Sequence, residues 1–196
     1  MSICLVYSGF GFAMAGIEVA SWFDPAIGSR LRALPKIFVA HALAGAVALL
    51  VGPLQFHGGL RRASLRIHRL IGRAYVYGVG ISSVTAAYLV PAFDIPMAAK
   101  IAFGSLAVFW FATTTLGLQR AISGQTTEHQ EWMLRSFSLS LFFVTGSLWM
   151  EISRSLPFAE GVTYPIAVLL GWALNLAIVE VWLRWRSGRR ARRPRN

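Results

Sequence analysis

Apolar residues fill six long runs, at about 3–22, 36–56, 70–92, 97–118, 132–154 and 163–184, and polar residues gather between them. Each run has roughly the 20 residues a helix needs to cross a hydrocarbon core. The pattern therefore predicts an all-α, polytopic transmembrane helical bundle of about six spans. The connections are short and carry helix breakers: Asp24-Pro25 and Leu34-Pro35 before the second span, Pro91 to Pro96 before the fourth, Pro157 before the sixth. No linker or soluble domain fits between them, so residues 1–196 read as a single integral membrane domain.

Composition agrees. Hydrophobic residues make up 56% and charged residues 14% of the chain, against about 25% charged in soluble domains. The net charge of +11 raises nucleic acid as a partner, but the basic residues lie in short runs between apolar segments and form no recognisable nucleic-acid motif. They serve topology instead. With both termini cytoplasmic, the inner side collects Arg61, Arg62, Arg66, Arg69, Arg73, Arg120, Arg135 and the seven arginines from Arg184 to Arg195. The outer side keeps Arg30, Arg32, Lys36, Lys100 and Arg154. That asymmetry predicts both termini inside. The basic tail over 185–196 is suited to anionic lipid headgroups, at about 1 kcal/mol per residue near the surface. A lone cysteine, Cys4, excludes an intramolecular disulfide. Ala13-Met14-Ala15 resembles a cleavage site, but no basic residue precedes the first run, which is kept as a span.

The spacing of polar residues predicts which faces turn inward. In the second span His41, Gly45, Ala48, Gly52 and Gln55 share one helical face, where small residues admit another helix or a flat ligand. Pro53 should kink or end that helix. The third span opens with His68, Gly72 and Tyr75 on one face and Arg69 and Arg73 on the next. There Gly72 would leave space over the imidazole. In the fifth span His129, Ser136, Ser140, Ser147, Glu151 and Arg154 form a polar line, with Glu131–Arg135 and Glu151–Arg154 spaced for ion pairing. Two polar groups result: an inner one of His57, His68, Arg69, Arg73, His129, Arg135 and Glu180, and an outer one of Glu18, His41, Glu151 and Arg154.

Four ordered motifs, His41-x3-Gly45, Gly52-Pro53-Leu54-Gln55-Phe56, His68-Arg69-x2-Gly72-Arg73-x-Tyr75-Val76 and His129-x2-Trp132-Met133-x-Arg135-Ser136, make residues 36–150 resemble a bacterial family of predicted integral membrane proteins, the domain-of-unknown-function family twenty-three-oh-six. The resemblance implies a multi-spanning protein of the bacterial cytoplasmic membrane. It directs attention to His41, His68, Arg73, His129 and Arg135, and implies no particular activity.

Three chemistries are open to these residues. A redox or cofactor-binding protein would hold haem b between His68 and His129, which lie at one depth, or a quinone. Arg73 and Arg135 would then pair with its oxygens, and His41, Gln55 and Tyr75 would line the face. A transporter, or an assembly subunit contacting other membrane proteins, would use the histidines as interfacial hydrogen-bonders. A metal-dependent enzyme would gather His57, His68 and His129 around a divalent ion, although their spacing fits no compact metal motif. The first of these is the expectation taken forward.

Overall fold

The computed structural model describes residues 35–154 and 160–191. The first apolar run, with Cys4 and Glu18, lies outside the described residues, as does the end of the basic tail. Each of the other five runs becomes a helical stretch long and apolar enough to cross a bilayer. They are α1 (Pro35–Gln55), α3 (Leu65–Ala92), α4 (Met97–Ile122), the pair α5 (Thr126–Ser140) and α6 (Phe142–Arg154), and α7 (Glu160–Ala191). A short α2 (Gly58–Ala63) connects α1 to α3.

Helix boundaries lie further out than the apolar runs suggest, because flanking basic turns are helical too. The Ser64 side chain accepts a hydrogen bond from Ile67 N–H at 3.3 Å and starts α3 within the arginine-rich stretch. The 28 residues of α3 extend about 42 Å at 1.5 Å per residue, beyond a hydrocarbon core of about 30 Å. Its first turns therefore reach the headgroup layer. At the end of α1, two residues after Pro53, Phe56 N–H turns back to the Pro53 carbonyl at 3.2 Å, as expected of a proline near a helix end.

Consecutive spans pack antiparallel. Along α1 and α3, His41 meets Ser82 while Gln55 meets the His68 carbonyl. The bundle grows as α3 on α1, α4 on α3 and α5 on α4, and α7 then closes against α4, α5 and α6. Lipid tails are as apolar as leucine, so close packing has to supply the attraction between helices. Glycine allows it at two crossings. A Cβ on Gly78 would lie 2.8 Å from the Ala44 carbonyl oxygen, and one on Gly171 would lie 2.8 Å from the Gly146 Cα. Around these crossings Ala48, Tyr75, Val79, Leu106, Trp110, Phe142 and Trp172 make a common core. The outward faces of the spans carry large exposed apolar side chains, the surface a lipid-bathed bundle presents.

The fifth span is interrupted at Leu141. Its carbonyl accepts from both Val144 and Thr145 N–H at 2.9 Å, a locally tightened turn. This corrects the expected polar line. Ser136 and Ser140 are buried, but beyond the break Ser147 and Glu151 are exposed and Ser147 bonds back to the Phe143 carbonyl at 3.1 Å. The tightened turn rotates the second half of the span relative to the first, so equal spacing in sequence no longer means one face. The expected Glu151–Arg154 pair rests on the Arg154 side chain, which is outside the described residues.

Candidate functional site

At mid-depth, three helices bring together a set of buried polar groups. Tyr75 from α3 is only 1% exposed, and its hydroxyl lies 2.8 Å from Ser136 Oγ and 3.0 Å from Ser140 Oγ, both on α5. From α4, the Trp110 indole N–H donates to Ser140 Oγ at 3.0 Å, Thr114 Oγ1 lies 2.6 Å from Ser136 Oγ, and Thr114 donates to the Trp110 carbonyl at 2.7 Å. The indole can only donate and the carbonyl can only accept. With all five bonds made, proton direction runs Trp110 N–H to Ser140, Ser140 to Tyr75, Tyr75 to Ser136, Ser136 to Thr114, and Thr114 back to the Trp110 carbonyl; Ser140 has a second acceptor in the Ser136 carbonyl at 3.3 Å. Each hydroxyl gives one hydrogen bond and takes at least one. Bonds aligned head to tail in this way polarise and strengthen one another.

Tyr75, expected to line a ligand face, is thus held inside the protein. Sequence reasoning missed Trp110 and Thr114. Their signal was present, since Trp110, Thr114 and Gly117 recur at steps of four and three, but the polar face of α4 had not been drawn.

Towards the end of the bundle that carries Arg61 to Arg73, the polar groups are less completely paired. His68 lies in the first turn of α3 and His129 in the first turn of α5, with His129 within electrostatic reach of His68. The His129 ring is oriented by Nδ1, which donates to the Gly117 carbonyl oxygen at 2.8 Å. Nδ1 of His68, by contrast, is buried and has no hydrogen-bond partner among the described residues, a state shared by Ser83 Oγ and Trp172 Nε1 elsewhere in the bundle. Gly72 does not leave an open space above that imidazole. The Gln55 side chain occupies it, its Oε1 3.2 Å from where a Gly72 Cβ would be, and its amide donates to the His68 carbonyl at 3.3 Å.

The remaining expected site residues are dispersed. Arg73 follows His68 by five residues, about 140° around the helix, and is exposed on the side of α3 away from the bundle. Arg135 reaches α7, where its Nε lies 2.5 Å from Glu180 Oε1 and its guanidinium stacks 4.7 Å from the Trp132 ring. The expected Glu131–Arg135 pair is replaced by this contact across 45 positions. His57 is exposed ahead of α2. Among the described residues, no three His, Cys, Asp or Glu side chains gather as a metal-binding group, and His57, His68 and His129 are not brought together as one.

His41 belongs to the opposite end. Its Nδ1 lies 2.9 Å from the Ser82 carbonyl oxygen and 3.3 Å from Thr85 Oγ1. The glycines of its helical face receive aromatic rings, Phe143 over Gly45 and Phe137 over Gly52. That face is a helix-packing surface.

No curated protein and no solved structure matches the chain. The family profile described as "Predicted membrane protein (DUF2306)" matches residues 38–183, past the four motifs and through most of the last span. With five apolar helices able to span a bilayer and that match over most of its length, the chain belongs to this family of predicted membrane proteins.

Proposed function

We propose that the protein binds a lipid-soluble, carbonyl-bearing cofactor of the quinone class at its basic end, with His68 as the donor that holds it. The observation that carries this reading is the buried, unpartnered His68 Nδ1. A buried polar atom left without a partner costs about 1–3 kcal/mol, and a ligand carbonyl oxygen arriving from the membrane would remove that cost. His129, oriented by Gly117, is the second group that could face the same ligand.

Haem b fits less well. A bis-imidazole site uses Nε2 of both histidines, and each Nδ1–H is normally held by an acceptor. His129 meets the condition and His68 does not. The arginines assigned to haem propionates are directed elsewhere, Arg73 outward and Arg135 onto Glu180.

In the same reading the chain is one membrane domain of a bacterial inner membrane, with its basic end and its tail towards the cytoplasm and anionic headgroups. The 14 arginines assigned to one side against five basic residues on the other support this.

Titrating the purified protein in detergent with a short-chain ubiquinone analogue tests the binding. Saturable quenching of tryptophan fluorescence is expected. It should be lost in His68→Leu and partly kept in His68→Asn, whose amide retains a donor. Absence of saturable quenching overturns the reading. A Soret band, reduced by dithionite and lost in His68→Ala and His129→Ala, would replace it with haem.

A further inference from the structure

Arg66, Arg69 and Arg73 stand at steps of three and four on α3. They share one face over about 10 Å of helix axis. The same face continues through Leu70 and Tyr77, 67% and 68% exposed, and lies opposite the buried Tyr75, Val79 and Ser82. It is the side of α3 turned away from the other described helices.

Among the described residues, no acidic side chain pairs with these three charges. The chain has eight acidic residues. At this end Glu128 is taken by Arg120 at 3.1 Å and Glu180 by Arg135, while Glu131 makes no ion pair with any described residue. The arginines of α7 differ, since Arg186 and Arg189 lie over the Trp182 and Trp185 rings at 5.2 and 4.5 Å. Arg66, Arg69 and Arg73 have no hydrogen bond or ion pair among the described residues.

The need to orient the protein accounts for the number of positive charges but not for their register or type. Lysine and arginine serve the positive-inside rule alike, and it does not require residues to share a face. Residues 61 to 73 hold five arginines and no lysine, and the planar fork of arginine matches phosphate in a way the lysine ammonium does not. A guanidinium on a lipid-facing helix extends along its stem to the headgroup layer, and the acceptor it meets there is a phosphodiester.

We propose that Arg66, Arg69 and Arg73, with Tyr77 beneath them, form a binding site for the headgroup phosphate of an anionic phospholipid. The guanidiniums hold the phosphate, while Leu70 and the Tyr77 ring offer apolar surface to the upper acyl chain. The site is on the other side of α3 from His68, so it stands or falls independently of the quinone reading.

The test uses the full chain in a neutral detergent, titrated with phosphatidylglycerol or phosphatidylcholine, with retained lipid counted by native mass spectrometry. The wild type should hold phosphatidylglycerol in preference to phosphatidylcholine. The triple variant Arg66→Gln/Arg69→Gln/Arg73→Gln should lose roughly tenfold or more in apparent affinity. The charge-matched control Arg184→Gln/Arg186→Gln/Arg189→Gln, which removes three charges at the tail, should lose only the smaller share that diffuse attraction supplies, several-fold less than the α3 variant. If the triple variant does not fold, Arg73→Lys retains the charge without the fork and should still lose several-fold. An equal loss in the control would reduce the effect to diffuse electrostatics and overturn the proposal. So would an unchanged affinity in the α3 variants, or displacement of the lipid by inorganic phosphate at equal concentration.

Discussion

The hydroxyl chain at mid-depth and the histidine-bearing basic end are both polar, and spacing in sequence points to part of each, yet they are built on opposite terms. In the chain from Trp110 through Ser140, Tyr75, Ser136 and Thr114, every donor reaches an acceptor inside the protein. At the basic end, among the described residues, His68 Nδ1 has no partner, and Arg66, Arg69 and Arg73 have no acid. Polarity at membrane depth is therefore not in itself a mark of function. A closed network stabilises a fold, because breaking it strands groups in a medium with no water to receive them. Donors with no acceptor among the described residues are the ones that the proposed reading gives to a ligand.

The sharpest way to break this comparison is through Tyr75. Tyr75→Ala removes a fully buried ring as well as the central link of the chain. It should cost about 3–5 kcal/mol, seen in equilibrium unfolding in mixed micelles followed by circular dichroism. Tyr75→Phe keeps the ring and should cost about 1–2 kcal/mol. Part of that loss is recovered because Ser140 can fall back on the Ser136 carbonyl, 3.3 Å away. The Tyr75→Phe and Ser140→Ala costs should not add, since both cut the same chain. Strict additivity would mean that the hydroxyls act as separate pairs. In neither variant should quinone binding at His68 be abolished.

What could be read in the sequence follows the range of the forces involved. Bilayer thickness sets a length, so apolar runs located all five described spans, and Pro53 marked the end of α1. Local charge obscured the boundaries. Leu65 to Arg69 and Thr126 to Glu131 are helical but not apolar, and α2 was hidden behind Gly58, Gly59 and two arginines. Periodicity placed Ser136 and Ser140 inside, but it failed for Ser147, because the turn at Leu141 resets the helical phase. The pairing of Arg135 with Glu180 had no local signal at all, since its partners are 45 positions apart and meet only once α7 docks. The identity of the site residues was partly legible for the same reason. His68 and His129 share an end because each opens a helix entering from that side, whereas Arg73, on the face next to the histidine's and grouped with it by depth, is carried outward by the helical turn.

The Arg135–Glu180 pair tests the basic end from its structural side. Its side chains are 17% and 33% exposed, between the surface case, worth little, and the buried case, where a lone survivor is costly. Glu180→Gln should therefore destabilise by about 1 kcal/mol and leave the Arg135 guanidinium to the Trp132 ring. The double variant Arg135→Met/Glu180→Leu should cost less than either single removal, because it leaves no uncompensated charge. Unfolding in the same micelles decides the matter. A double variant worse than both singles would show that the pair contributes more than mutual neutralisation.

The smallest stability effect is expected where the effect on binding is greatest. His68→Leu removes a buried nitrogen that has no partner, so the folded state loses no hydrogen bond at that atom and is relieved of a desolvated polar group. The expected change is between zero and about 1 kcal/mol in favour of folding. It carries the opposite sign to Tyr75→Phe, although both substitutions remove one polar group from α3. A residue that lowers stability and is kept for what it binds follows the usual exchange between stability and activity. If His68→Leu instead destabilised the protein as much as Tyr75→Phe, His68 would belong with the closed network. If it unfolded at the same midpoint or later and no longer quenched with the quinone analogue, the unpaired nitrogen would stand as the ligand's contact.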